Sequence, residues 1–325
     1  MILCVGDAHY KKNNALLTDM FQQELLMLIE QRKIKNIVLL GDYHDSWDMI
    51  SSPVLNRLFN FFVELSTVTN VYYVVGNHDL INNNQFCSEE HFFNSFKTIP
   101  NVFIIDKPVT YMVGDVLAAF IPFVVDGKFN EALQQINQKY HILFTHNEFS
   151  GAIMGSLVST SANSWPITNP LLVSGHIHTK QWLQKNLYYP GVPYDIHFEN
   201  EDSADKTVSI LTTNQRGFDV EEICLGLPTK RILKMTIQEF ESHKWNEKTL
   251  SSIKVLVSGT QEDLTALSKR MKNIPKNIKV VFTPINSTSQ QREKRAVSFI
   301  DSLMELTQTE SEEIRDLVKQ VVDET

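Results

Sequence analysis

Five short polar motifs, each closing an apolar run, constrain this 325-residue chain more than any other feature. Gly6-Asp7-Ala8-His9 follows the run Ile2 to Val5, and Gly41-Asp42-Tyr43-His44-Asp45 follows Asn36 to Leu40. Gly76-Asn77-His78-Asp79 follows Val71 to Val75. Thr145-His146-Asn147 ends a run that starts at His141, and Gly175-His176-Ile177-His178 follows Leu171 to Ser174. Short apolar runs bounded by turn residues read as buried strands. In an open α/β sheet, ligands bind beyond the carboxyl ends of the strands, so all five loops can converge on one rim.

Between the strands lie helical patterns. Leu16 to Arg32 carries Leu17, Phe21, Leu25 and Leu28 on one face, and Pro53 to Thr67 and Glu89 to Ile99 also read as helices. The alternation predicts an α/β fold. The stretch from His146 to Leu171 is rich in Ser, Thr, Asn and Gly and reads as a long functional loop. Strands return near Thr207 to Thr212 and Arg231 to Ile237. The polar segment around Glu241 to Ser251 marks a boundary. The expected domains are therefore a catalytic domain over 1–240, a small βαβ cap over 251–286 and a C-terminal helical pair over 287–325. That pair carries Ile300 and Leu303 on one helix and Ile314, Leu317, Val318 and Val321 on the next. Partly buried stripes of this kind suit docking to a protein partner.

Carboxylate oxygens with imidazoles suit divalent Mn, Fe, Zn or Ni better than Ca or Mg. The pairs Asp7/His9 and His176/His178 have the spacing that points two side chains to one face of an extended chain. Taken in order, the five motifs resemble the signature of the calcineurin-like metallophosphoesterase superfamily: D-x-H, G-D-x-x-D, G-N-H-D/E, a lone His, and G-H-x-H. The resemblance covers residues 1 to about 200. It implies a β-sandwich flanked by helices, here with a small α+β cap and C-terminal helices. It also implies two divalent ions, Mn being the one expected. One would be held by Asp7, His9, Asp42 and His178, the other by Asp42, Asn77, His146 and His176, with Asp42 shared. His78 would act at the phosphate, as general acid or charge stabiliser, and Asp45 would orient His78 through a hydrogen bond.

Further segments resemble the SbcD-type nuclease subunit of double-strand-break repair complexes. They are the opening Ile2-Leu3-Cys4-Val5-Gly6-Asp7-Ala8-His9, the turn Tyr189-Pro190-Gly191-Val192-Pro193-Tyr194, and Arg216-Gly217-Phe218. This implies a Mn-dependent DNA exo/endonuclease in repair or recombination, a homodimer, and a coiled-coil ATPase of SbcC type as partner. The compact cap resembles that of viral or phage members. Many archaeal and eukaryotic members carry histidine where this chain has Asp45. A stand-alone phosphodiesterase or phosphatase acting on nucleotides or small phosphoesters is the alternative, and a scaffold that has lost catalysis is a third reading.

Composition bears on the choice. With 30 Lys and Arg against 38 Asp and Glu, the net charge of -8 counts mildly against DNA binding by the bare chain. Bound divalent ions add local positive charge. The cap segment is basic, and Lys269, Arg270 and Lys272 are its candidate DNA contacts. Three scattered cysteines, Cys4, Cys87 and Cys224, form no metal or disulfide pattern, which suits a reducing intracellular setting, cytoplasm or nucleus. No apolar run reaches membrane-spanning length, so no membrane association is expected. His91, His141, His197 and His243 have no motif context and read as surface or satisfied core residues.

Overall fold

The computed structural model describes residues 1–285 apart from 48, 83, 156, 201, 202, 205, 216, 246–248, 272 and 273. The expected C-terminal helical pair and Arg216 lie outside the described residues. The chain opens with β1 (Ile2–Val5), α1 (Ala15–Arg32), β2 (Asn36–Leu39), α2 (Ser52–Val68), β3 (Asn70–Val74) and β4 (Val102–Ile105). Then come β5 (Val109–Val113), β6 (Val116–Ile121), the short helix α3 (Phe129–Leu133) and β7 (Ile142–Thr145). A small hairpin of β8 (Ile153–Met154) and β9 (Leu157–Val158) precedes β10 (Leu171–Ser174), β11 (Gln181–Gln184), β12 (Leu187–Tyr189) and β13 (Glu199–Asn200). The remainder is β14 (Val208–Asn214), β15 (Gly217–Ile223), β16 (Lys230–Thr236), α4 (Ile237–Ser242), β17 (Ser252–Gly259), α5 (Gln261–Arg270) and β18 (Ile278–Pro284).

Two six-stranded sheets carry the catalytic part. Their orders are β15-β14-β1-β2-β3-β4 and β11-β12-β10-β7-β6-β5. The period of two in each strand assigns every other side chain to a different layer. Leu3, Val5, Ile37, Leu39, Val71 and Tyr73 pack with Phe21, Leu25, Leu58 and Phe62 of the two long helices. Their alternates Ile2, Cys4, Val38, Tyr72 and Val74 pack with Ala118, Phe120, Ile142, Phe144, Val173 and Tyr188 of the second sheet. A third cluster, with Ala119, Leu143, Leu172, Leu187 and Tyr189, covers the second sheet's other face with Phe129, Phe149 and Trp165. Strands buried on both faces read as continuous apolar runs, which is why the sequence shows them so clearly.

The pairings β1–β2, β2–β3 and β3–β4 are parallel, as are β6–β7, β7–β10 and β10–β12. Parallel pairing puts the carboxyl ends of β1, β2 and β3 on one edge of the first sheet, and those of β7 and β10 on one edge of the second. All five motifs sit at those ends.

The α/β sandwich is the expected fold class. One expected helix is not there. Glu89 to Ile99 forms only a 3-10 turn at Asn94–Thr98. Phe93 and Phe96 are both buried, and a spacing of three eclipses side chains in a 3-10 turn. Ahead of it, the Ser88 hydroxyl accepts the Glu90 amide, and His91 bridges to Leu80, so an α-helix cannot start. His91 is a core residue: its Nε2 lies 3.2 Å from Asp106, which Lys97 also meets. Strands β5, β11 and β12 carry no signal that was read in the sequence.

The chain divides into two compact units. The larger takes Met1–Lys234, His243–Leu256 and Asn273–Val281; the smaller takes Met235–Ser242, Val257–Lys272 and the chain from Phe282. Within the smaller unit, Leu264 and Leu267 of α5 are buried, and Thr260 caps that helix by accepting the Asp263 amide.

One glycine contact fixes how β1 leaves the sheet. A Cβ on Gly6 would stand 1.9 Å from the Gly191 carbonyl oxygen, backbone against backbone. Gly6→Ala should therefore destabilise the fold by about 1–3 kcal/mol, the range for overpacking. That corresponds to a fall of roughly 3–10 °C in Tm, readable in a thermal melt. An unchanged Tm would show that the two segments are not in contact.

Candidate metal centre

The strand-end loops are locked to one another before any side chain is considered. The His9 amide donates to the Asp42 carbonyl at 3.0 Å, and the Tyr10 amide to the Tyr43 carbonyl at 2.8 Å. His9, Asp42 and His176 all hold left-handed backbone, at φ 44°, 52° and 77°. Non-glycine residues adopt this region rarely and at a cost, and such strain collects at functional sites. Gly76 runs so close to loop two that a Cβ there would lie 2.2 Å from Asp42 Oδ1.

Two groups of donors result. In the first, His9 Nε2 and His178 Nε2 stand 3.0 Å apart, and His178 Nε2 is 3.8 Å from Asp7 Oδ2. In the second, His146 Nε2 is 3.2 Å from Asp42 Oδ2 and 3.1 Å from Asn77 Oδ1, which is itself 2.8 Å from His176 Nδ1. Each of the sets Asp7/His9/His178 and Asp42/His146/His176 offers ligand atoms within 4.8 Å of one another. The structure thus brings together all seven residues read as metal ligands in the sequence. Asp42 stands with the second set. The His176 amide donates to Asp7 Oδ2 at 3.0 Å and joins the two.

The donor chemistry fits cations. His146 Nδ1 is in hydrogen-bond contact with the Leu40 carbonyl, so that nitrogen carries the proton. With a divalent ion in place of the second ring proton, Nε2 would offer a lone pair beside Asp42 Oδ2 and Asn77 Oδ1, three acceptors side by side. A divalent ion satisfies all three at once. The local field agrees. Burial pushes the His146 pKa down, yet Asp42 and Asp7 outweigh it and raise it to about 10. Asp7 is raised to about 6 by burial and by the Asp42 charge, against the pull of His146. His178, half-buried and next to His9, is lowered to about 3 by desolvation and the His9 charge. A pocket that draws a proton this strongly onto one imidazole draws a metal ion by the same field.

Around this centre the contact between Asp45 and His78 differs from expectation. The His78 amide donates to Asp42 Oδ1 at 2.9 Å, and its ring packs edge-on against His9 and Trp47. Nε2 is 4.0 Å from Asp42 Oδ2, beside the donor sets but in neither. The expected hydrogen bond from the Asp45 carboxylate to His78 is not formed. The Asp45 backbone carbonyl meets His78 Nδ1 at 2.8 Å instead. The carboxylate crosses to loop one, where its Oδ1 lies 3.2 Å from His9 Nδ1 and 2.8 Å from Lys11 Nζ. Burial works against this charge, but His9 and Lys11 hold the carboxyl below the usual range. The loop turns at Asp45 so that its main chain, rather than its side chain, faces His78.

Other neighbours carried no assignment from the sequence. Asp79, fully buried, accepts from Tyr73 Oη at 2.6 Å, from the Gly76 amide at 2.7 Å and from the Asp42 amide at 3.2 Å. Burial and the Asp42 charge raise its pKa to about 7. Its place in the third motif was the available signal. Glu148 Oε2 lies 3.7 Å from His176 Nε2, and only its position two residues after His146 hinted at that. His44 is buried against Phe92. Of the candidate DNA contacts, Lys269 and Arg270 lie on α5, and Arg270 pairs with Glu241 at 3.0 Å. Lys272 lies outside the described residues.

Comparison with known proteins agrees with this geometry. The family model described as calcineurin-like phosphoesterase matches residues 1–185. "Putative phosphoesterase 078R" of Invertebrate iridescent virus 3 is 32% identical over 275 residues, 82% of this chain and 79% of that one. "Putative phosphoesterase 244L" of Invertebrate iridescent virus 6 is 32% identical over 275 residues, 82% of this chain and 97% of that one. A solved structure of a novel archaeal phosphodiesterase aligns at 12% identity over 68% of this chain and 99% of that one. Its TM-score of 0.34 is too low to bear on fold or function. The chain belongs to the calcineurin-like phosphoesterase family. It is a phosphoesterase of a kind that uses divalent metal ions. Both viral relatives accord with the virus- or phage-like character read from the sequence. Among the described residues, no helix is long and apolar enough to cross a membrane.

His78 touches the centre without belonging to either donor set, which separates chemistry from metal binding. His78→Ser should keep its full metal content by mass spectrometry while losing activity by about 10²-fold or more. Loss of half the metal would make His78 a ligand.

Proposed function

We propose that this chain is a two-metal phosphodiesterase that cuts DNA, with Mn as its working ion. In this reading it is the nuclease subunit of a double-strand-break repair or recombination complex. The observation that carries the phosphodiesterase reading is the placement of both donor sets side by side, with His78 Nε2 facing them. Asp7, His9, Asp42 and His178 would hold one ion, and Asp42, Asn77, His146 and His176 the other. When bound, two such ions polarise the phosphoryl group and lower the pKa of water enough to make it a nucleophile at neutral pH.

The protein's own groups do the rest. Asp42 anchors the centre with one oxygen toward His146 and the other on the His78 amide. His78 carries a proton on Nδ1 against the Asp45 carbonyl, so Nε2 is the atom that takes up and releases a proton beside the phosphate. Trp47 packs edge-on against that ring.

The nuclease reading draws on the SbcD-like segments and on the surface beside the centre. A cavity of about 570 Å³ is lined by Lys11, Lys12, Asn13, Asp45, Ser46 and Ser51 among others. Lys12 and the neutral polar groups suit a phosphate backbone better than they suit a compact monoester, while the Lys11 ammonium is paired with Asp45. The complex we propose has a homodimer of this chain and an SbcC-type coiled-coil ATPase, docked through residues 287–325. The net charge of -8 favours a second reading, a stand-alone enzyme acting on nucleotides or small phosphoesters.

Asp42→Ala should leave a folded protein whose Mn-dependent hydrolysis falls by several orders of magnitude on every phosphodiester, because no neighbour replaces the shared carboxylate. Near-normal turnover would remove the two-metal assignment. The substrate question is decided by assaying linear DNA against bis-p-nitrophenyl phosphate, each with Mn. We expect cleavage of both; hydrolysis of the small diester alone would favour the second reading.

A further inference from the structure

Lys11 lies outside every motif, yet its side chain is built into the loop that carries His9. Its amide donates to Asn14 Oδ1 at 2.8 Å, and Asn14 Nδ2 donates to the His9 carbonyl at 2.9 Å. Asn14 is buried, so these two bonds close the loop and fix where the Lys11 side chain begins. Its ammonium then stands 2.8 Å from Asp45 Oδ1, the oxygen that is also 3.2 Å from His9 Nδ1. One carboxylate oxygen thus pairs with an ammonium and stands within ion-pair distance of the far side of a donor imidazole.

We propose that Lys11 is a positioning residue for the first ion-binding group, acting through the Asp45 carboxylate on the ring of His9. This rests on the metal-centre reading above. The need for it comes from an asymmetry between the two groups. In the second, the His146 ring is fixed through Nδ1 by the Leu40 carbonyl, buried main chain that cannot turn away. In the first, His9 Nδ1 faces a side chain that is 30% exposed and free to rotate toward water. An ammonium on Oδ1 removes that freedom. Asp45 then favours the tautomer with the proton on Nδ1, and the lone pair of Nε2 is left facing His178 Nε2. Carboxylates behind a ligand histidine tune metal affinity in this way, and here the carboxylate itself needs a holder. The alternative use of Lys11, as a direct anchor for the substrate phosphate, leaves its contact with Asp45 unexplained.

The test is calorimetric titration of Mn²⁺ into the metal-free full chain, comparing wild type, Lys11→Met, Lys11→Arg, Asp45→Asn and the double variant Lys11→Met/Asp45→Asn. Wild type should take up two ions. Lys11→Met should weaken one of them by about 10–100-fold, the usual range for such outer contacts, and leave the other unchanged. Lys11→Arg should restore most of the loss. The double variant should bind no more weakly than Asp45→Asn alone, since both changes break one relay. The Tm of the metal-free protein should not move in Lys11→Met. Wild-type affinity for both ions in Lys11→Met overturns the proposal, and a raised KM alongside it would identify a substrate anchor. Equal weakening of both ions, or a lower Tm without metal, would mark a general structural role and also overturn it. If wild type itself takes up fewer than two ions, the metal-centre reading fails first, and that result is read before any variant is compared.

Discussion

The Asp42 carboxylate is the group to which the rest of the centre is fitted. It is buried at the end of β2, in a backbone conformation that a non-glycine residue adopts at a cost. A buried carboxylate is tolerated only when it is paired. One oxygen meets His146 and the other accepts the His78 amide. Its own amide is held by Asp79, which the Tyr73 hydroxyl and the Gly76 amide hold in turn. The loops after β2 and β3 are thereby tied together, and the His9 amide brings in the loop after β1 through the Asp42 carbonyl. The second sheet joins through His146, and the Asp7–His176 contact closes the ring. Neither sheet alone could assemble this site.

That arrangement explains why so much of the site was legible in the sequence. The strands are buried on both faces and stand out as apolar runs. The ligands sit directly after them, behind glycines whose lack of a Cβ permits the approach, as Gly76 shows against Asp42. Local order therefore carried the site, and the sandwich followed from the alternation of strand and helix. What was not legible depends on which way a loop turns. Asp45 was expected to meet His78 through its carboxylate; a single turn presents its carbonyl there and sends the carboxylate to His9 and Lys11. Glu148 reaches His176 from a stretch with no periodicity. The segment after Glu89 has helical composition, but side-chain bonds at Ser88 and the packing of Phe93 and Phe96 hold it to a 3-10 turn.

Charge divides the account of function in a useful way. The centre needs cations because it concentrates acceptors, and this need does not depend on what the substrate is. The choice between DNA and a small phosphoester depends on the surface beyond the centre, where Lys12 opposes an acidic whole. The two viral relatives share the phosphoesterase name and no finer one, so the chemistry is shared more securely than the substrate.

The central claim is that two separate ions sit in two separate donor sets joined by Asp42. Anomalous diffraction from crystals grown with Mn²⁺ measures this directly. The account predicts two peaks, one among Asp7, His9 and His178 and one among Asn77, His146 and His176, with Asp42 oxygen density between them. A single peak, or a second peak away from these residues, would contradict it.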